Sequence, residues 1–161
     1  MKTVKLIAGI ITYIAVCACG NTTPNTQNPS QAKENAVEAK VEQETTFQDL
    51  TLEEAFEKAK KEEKYVFISF YTKTCVPCKK MKTTVFSTSE CNEYINKHFI
   101  PIMVDGEDDG IGTEIAKKYE VFIFPTYMIL LPDGSKEGEI LGAEYDVNKF
   151  LGMLKTIIHD N

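Results

Sequence analysis

The chain has 161 residues, room for one ordinary domain. Its 43% hydrophobic and 26% charged residues are those of a soluble globular protein. A net charge of -6 argues against nucleic acid as the main partner, because phosphate binding needs a basic surface.

The first five residues, Met1 to Lys5, are short and basic. Leu6 to Val16 is an apolar run of about eleven residues, too short for a spanning helix and right for a secretory signal. It ends in Val16-Cys17-Ala18-Cys19-Gly20, which resembles the bacterial lipoprotein signal, where a small residue precedes a cysteine that becomes the lipidated N-terminus. Ala18 is small and Val16 is not, so Cys19 fits better than Cys17. The resemblance implies a removed signal over residues 1–18. It also implies a lipid anchor on Cys19 and a location on the periplasmic side of a bacterial membrane. Ordinary cleavage nearby with free release is the alternative. Cys75, Cys78 and Cys91 then remain in the soluble part, in a compartment where disulfides persist.

Residues 19–45 read as a flexible tether. Asn21 to Ser30 has turn-formers and no apolar period, and beyond it only Val37 and Val41 are larger apolar groups. Such a segment supplies reach.

The domain, residues 46–161, takes shape near Phe47. Thr51 and Glu54 form a capping box pattern, and Leu52, Ala55, Phe56 and Ala59 make a helical stripe ending at Lys64. Tyr65 to Tyr71 is apolar and β-prone, the pattern of a strand covered on both faces. Lys79 to Phe86 and Ser89 to Lys97 read as helices, with Cys91 and Ile95 at i, i+4. Phe99 to Asp105 is a second strand, followed by an acidic turn over Gly106 to Gly110. Glu107, Asp108 and Asp109 lack the ligand series of an EF-hand, so a solvated turn is expected there. Ile115, Ala116 and Tyr119 mark a helix, and Thr126 to Leu131 a third strand. Pro132 to Ser135 is a turn into a fourth strand over Glu139 to Leu141. Asp146 caps a last helix that buries Val147, Phe150, Leu151, Leu154, Ile157 and Ile158. This order predicts an α/β domain with a mixed central sheet flanked by helices.

The chemistry-bearing stretch is Thr72 to Met81, TKTCVPCKKM. A pair spaced as Cys75 and Cys78 can be a metal clip, a staple or a working redox site. Thiol–disulfide exchange needs an attacking thiolate and a second thiol close enough to resolve the mixed disulfide. A strand-to-helix junction provides both, because the helix N-terminus favours the thiolate. A free thiol needs about 2 kcal/mol of help to be half ionised at pH 7, at about 1.36 kcal/mol per pK unit. A helix end supplies roughly 0.3–1 kcal/mol, sometimes about 2. Lys73 and Lys79, closest to the pair, are candidates for the remainder, and no Asp or Glu occurs between Lys64 and Ser89. Lys80 and Lys82 read equally well as a solvated helix face.

Tyr65 to Lys80 resembles the strand and active-site turn of the thioredoxin superfamily. Phe124-Pro125-Thr126 resembles its cis-proline element, and Pro132-Asp133-Gly134 with Gly142 its hairpin and following glycine. Val85 to Asp105 is similar to thioredoxin-like domains of exported bacterial proteins of the disulfide-reductase type. The resemblance covers about residues 47–158 and implies a thioredoxin fold. It makes Cys75 the nucleophile and Cys78 the resolving thiol. Pro125, Phe124 and Thr126 become a substrate-docking edge, with Tyr71 at its rim. No bound cofactor is implied, since the cysteines carry the chemistry. The partners implied are protein thiols or disulfides and a redox protein that supplies or accepts electrons. Two departures stand out. The family's buried Asp, six positions before the first cysteine, is Ser69 here, and its companion lysine falls at Pro101. The aromatic that usually precedes the first cysteine is Thr74.

Several residues have a simpler reading. Cys91 reads as core. Cys75, Cys78, Cys91 and His98 could count as four zinc ligands, but that leaves Phe124-Pro125 unexplained, so no metal is expected. His98 then reads as a satisfied helix-end residue and His159 as a frayed tail. The expectation is a membrane-anchored thiol:disulfide oxidoreductase, a reductase rather than an oxidase. The alternative is a protein- or metal-binding module with a structural cysteine pair.

Overall fold

The computed structural model describes residues 47–108 and 110–160. The signal, Cys19 and the tether expected over residues 1–45 lie outside the described residues.

Thr51 opens the first helix, α1 (Leu52–Glu62). Its N–H and hydroxyl both donate to Glu54 Oε2, at 2.8 and 2.9 Å, and its Oγ1 accepts the Glu54 N–H at 3.2 Å. This is the capping box the sequence predicts, and it holds the Glu54 carboxyl below its usual range. Glu63 closes the helix in the left-handed region, with φ 53°. The chain then enters β1 (Tyr65–Tyr71), α2 (Val76–Thr84), α3 (Ser89–His98) and β2 (Phe99–Asp105). After these come α4 (Ile111–Lys118), β3 (Thr126–Leu130), β4 (Lys136–Leu141) and α5 (Val147–Ile157).

The sheet order is β2-β1-β3-β4. β1 runs parallel to β2 and antiparallel to β3, and β4 pairs antiparallel at the edge. The sheet is therefore mixed, as expected. Side chains of a strand alternate between faces, so the sheet divides the core in two. Val66, Ile68 and Phe70 of β1 pack with Ile100, Ile102, Met128 and Leu130 beneath α1 and α4. Phe67 points the other way, among Phe86, Phe99, Tyr127 and Phe150, beneath α2, α3 and α5. That second face is aromatic: Phe67 stacks on Tyr127 at 5.9 Å, and Phe86 meets Tyr127 edge-on at 5.4 Å. Fully burying such a side chain is worth roughly 1.5–3 kcal/mol.

Several boundaries differ from the sequence expectation, among them three at the site and the sheet. α2 begins at Val76 and not Lys79, because Pro77 is tolerated in the first turn, where its missing N–H costs nothing. β4 begins at Lys136 and not Glu139. Its first residues are polar, and only pairing with the fully buried β3 makes them strand. β3 ends one residue early, at Leu130.

The two histidines also differ. His98 Nε2 is buried with no hydrogen-bond partner, and the nearest carboxylate oxygen, Asp160 Oδ2, lies 3.7 Å away. Asp160 instead accepts the Tyr94 hydroxyl at 3.0 Å. Burial, the largest influence on His98, lowers its pKa. His159 is not a frayed end: at φ 55° its N–H bonds Thr156 O at 3.4 Å and helps close α5. Among the described residues no helix is long and apolar enough to cross a membrane.

Candidate active site

β1 ends at Tyr71, and the chain turns at once. The Cys75 N–H bonds Thr72 O at 3.2 Å, which folds Thr72 inward to 6% exposure. Cys75 is then the N-cap of α2. Its carbonyl accepts the Lys79 N–H at 3.3 Å and its Sγ accepts the Cys78 N–H at 3.1 Å. A sulfur thus occupies the position usually held by a Ser, Thr or Asp oxygen. Cys75 and Cys78 are joined as a disulfide, with Cα atoms 5.3 Å apart. The Cys75 sulfur therefore has an N–H donor and the positive end of α2 beside it.

The fold adds a charge to the surroundings of the pair. Between Lys64 and Ser89 the sequence has no acid, but β2 brings one. Tyr71 pairs with Asp105, and Asp105 Oδ2 lies 3.8 Å from Lys73 Nζ. Lys73 is 83% exposed, so the pair is weak. Lys79 and Lys82 are exposed on α2, with no acid in that helix's first turn. Lys80 lies 4.1 Å over the ring of Tyr145, a cation–π contact.

Behind the disulfide is a cavity of about 260 Å³. Ser69 and Tyr71 share a face of β1 with Phe67, so they point beneath α2. Ser69 pairs with Met103 on β2. These residues meet Cys78, Phe47 and Phe86 around the cavity, and Lys73, Lys79 and Lys82 also line it. Tyr71 thus lines the cavity beside Cys78.

Across the sheet, Phe70 pairs with Thr126. Pro125 therefore lies at the end of the sheet where the cysteine loop leaves β1. The Phe124–Pro125 peptide bond is cis, and Pro125 O accepts the Gly142 N–H at 2.9 Å. The neighbours expected to dock substrate are turned inward. Thr126 is 1% exposed and its hydroxyl donates to Ile123 O at 2.8 Å. The Phe124 ring packs on Gly106, where an added Cβ would come within 2.4 Å of it. The exposed groups on this segment are Phe122 and Ile123, 80% and 57% exposed. These two and Asp105 escape the sequence reading. An apolar Phe-Ile pair outside any predicted element was the available signal for the first two. Nothing local marks Asp105.

Cys91 is fully buried, and burial, with a smaller contribution from Glu90, pushes its thiol up to about 12. It belongs to the aromatic core, as expected. The four residues of the zinc reading are not brought together. Cys75 and Cys78 are paired at the start of α2, Cys91 is in the core, and His98 sits by Tyr94 and Asp160. Among the described residues no three His, Cys, Asp or Glu side chains are placed to hold a metal ion.

A mixed sheet that presents a Cys-x-x-Cys disulfide at a helix start, level with a cis-proline, defines a thioredoxin-fold domain of the thiol:disulfide oxidoreductase class. The chain belongs to the Thioredoxin-like domain family, whose pattern matches residues 52–158. It is similar to Thioredoxin-2 of Pyricularia oryzae, 31% identical over 98 residues, 61% of this chain and 53% of that one. It is 29% identical over 101 residues to the thiol:disulfide interchange protein DsbD of Pseudomonas fluorescens, 62% of this chain and 17% of that one. The chain thus spans about half the length of that thioredoxin and a small part of DsbD. Among solved structures it resembles a candidate disulphide-isomerase from Bacteroides thetaiotaomicron. That likeness has a TM-score of 0.63 and 33% identity, and covers 71% of this chain and 93% of the other.

Proposed function

We propose that this protein exchanges disulfides with exported protein substrates from a lipid anchor, and that it works as a reductase. The observation that carries the exchange is Cys75 capping α2 with its own sulfur, one turn before the thiol that resolves it. In the reducing direction the Cys75 thiolate attacks a substrate disulfide. A Cys75–substrate bond forms, the substrate disulfide breaks, and one substrate sulfur leaves and takes a proton. The Cys78 thiolate then attacks Cys75 Sγ. The Cys75–Cys78 bond forms and the second substrate thiol departs. Two electrons have passed to the substrate, and a redox partner protein returns them. An extended substrate segment docks along the edge shaped by Pro125 with Phe124 and Thr126, and Val76, Phe122 and Ile123 form its exposed apolar rim.

The test is insulin-disulfide reduction. Cys75→Ser is expected to fall to the uncatalysed background, and full activity in that variant sinks the proposal. Direction is read from the reduction potential. A value near thioredoxin's, about -270 mV, supports the reductase, and one near about -120 mV supports an oxidase. For anchoring, residues 1–18 are taken as the signal, Cys19 as the lipidated residue and residues 19–45 as the tether. Labelling of the chain by radioactive palmitate in cells should disappear in Cys19→Ala.

A second reading, a thioredoxin-like module that binds a protein or a metal ion through a structural cysteine pair, is favoured by Ser69 and Pro101. These stand where the family carries an acid and a base. A Cys75 pKa near an ordinary thiol's, with a very low potential, would select it.

A further inference from the structure

The inward side of the disulfide raises a question about Cys78. Before it can resolve a mixed disulfide it must lose a proton, and an ordinary thiol of pKa about 8.5 holds that proton at neutral pH. Among the described residues, none that lines the cavity behind Cys78 is acidic. Asp105, on the same sheet face, is turned to Lys73 and is not among them. The cavity's inner wall is Ser69 and Thr72, both nearly buried, and Met103; Lys79 and Lys82 line it from α2, and Tyr71 and Lys73 line it from the end of β1 and the loop that follows. Its volume, about 260 Å³, has room for several waters, and its wall offers them hydroxyl partners.

We propose that this cavity is the proton outlet of the resolving thiol, a role that rests on the disulfide-exchange reading above. The Cys78 Sγ–H gives its proton to water in the cavity, not to a protein base. The Ser69 hydroxyl positions that water, and Lys79 and Lys82 favour the thiolate left behind. The thiolate then attacks Cys75 Sγ. The Cys75–Cys78 bond forms, the Cys75–substrate bond breaks, and the electron pair leaves on the substrate sulfur, which is protonated by solvent. No acid among the described residues of the cavity wall competes with the thiolate for charge, so resolution follows a single ionisation.

The experiment uses the full chain carrying Cys17→Ser and Cys19→Ser, reduced, and mixed rapidly with dithiodipyridine across pH. The first phase of chromophore release reports attack by Cys75, and the second reports resolution by Cys78. The second-phase rate of the otherwise unaltered chain is expected to rise tenfold per pH unit to one plateau. A second ionisation in that profile overturns the outlet. Ser69→Leu fills the cavity and should slow the second phase about tenfold or more while leaving the first within about twofold. Met103→Phe, from the opposite strand, should do the same if Ser69→Leu does not fold. An unchanged second phase in a folded, filled variant overturns the outlet while the exchange reading stands. Ser69→Asp should move the second-phase profile to higher pH, because a carboxylate beside Cys78 opposes its thiolate. Absence of the first phase in the unaltered chain overturns the exchange reading itself.

Discussion

Two cysteine sites of this chain lie in the first turn of a short helix, and they have opposite chemistry. Cys75 is the cap of α2: it faces the surface side of the fold, and its sulfur accepts the Cys78 N–H. Cys91 is three residues past Thr88, the cap of α3. Its N–H is taken by the Thr88 hydroxyl at 3.3 Å, and its sulfur sits among Phe86, Tyr127 and Phe150. The helix dipole is available at both places. At Cys91 desolvation outweighs it, since removing a thiolate from water costs more than a helix end returns. The same helix end thus meets an accessible capping sulfur at Cys75 and a desolvated one at Cys91, and burial decides between them.

The contrast can be broken most visibly by exchange activity. Cys91→Ala is expected to reduce insulin disulfides within about twofold of the unaltered chain, against complete loss for Cys75→Ser. Mass spectrometry after iodoacetamide treatment gives the matching result: in the folded, reduced chain Cys91 stays unlabelled, and urea exposes it.

Stability separates the sites next. Cys75→Asp keeps an acceptor at an N-cap, where Asp is favoured, so under reducing conditions the urea midpoint should hardly move. Cys91→Asp leaves a carboxylate beneath the aromatic rings and should lose roughly 3 kcal/mol or more, unless it stays protonated. Equal shifts for the two would mean that burial is not what distinguishes them.

A smaller effect is expected at alkaline pH. The folded Cys91 thiol titrates near 12, above its unfolded value of about 8.5. A raised thiol pKa means that folding favours the protonated form. That stabilisation is whole below the unfolded value and is lost as pH rises from there through about 12. Tyr127 and Tyr94, both raised first by burial, act in the same direction. Cys91→Ala should therefore lose stability less steeply across that window in urea titrations.

The smallest expected change is at the cap of α3. Thr88→Ala removes the acceptor for the Cys91 N–H and should cost about 1 kcal/mol, with no change in exchange rate. A slower exchange would tie the two helix ends together, contrary to the separation drawn here.

Much of the fold could be read locally. Thr51 and Glu54 announce α1 because a capping box is made within four residues. Tyr65 to Tyr71 announces a buried strand because covered strands carry unbroken apolar runs. β4 was only half legible, since Lys136, Glu137 and Glu139 have no apolar pattern and become strand through β3. At the site, Cys75 and Cys78 were legible from their type and spacing, and Pro125 through the resemblance of Phe124-Pro125-Thr126 to the thioredoxin cis-proline element. The inward turn of Thr126 and Phe124 was not, because it depends on Ile123 O and on the space above Gly106.

By itself, the sequence determined the order of helices and strands, the cysteine pair and the lysines near it. Those follow from periodicity, capping and composition over a few residues. Only the tertiary structure decided which charges and hydroxyls meet the sulfurs. The parallel register of β1 and β2 places Asp105 opposite Tyr71, within reach of Lys73, and Met103 opposite Ser69 behind Cys78. Those partners are more than thirty positions apart in the chain. A strand register is set by the hydrophobic pattern of the whole sheet and not by any residue near the cysteines.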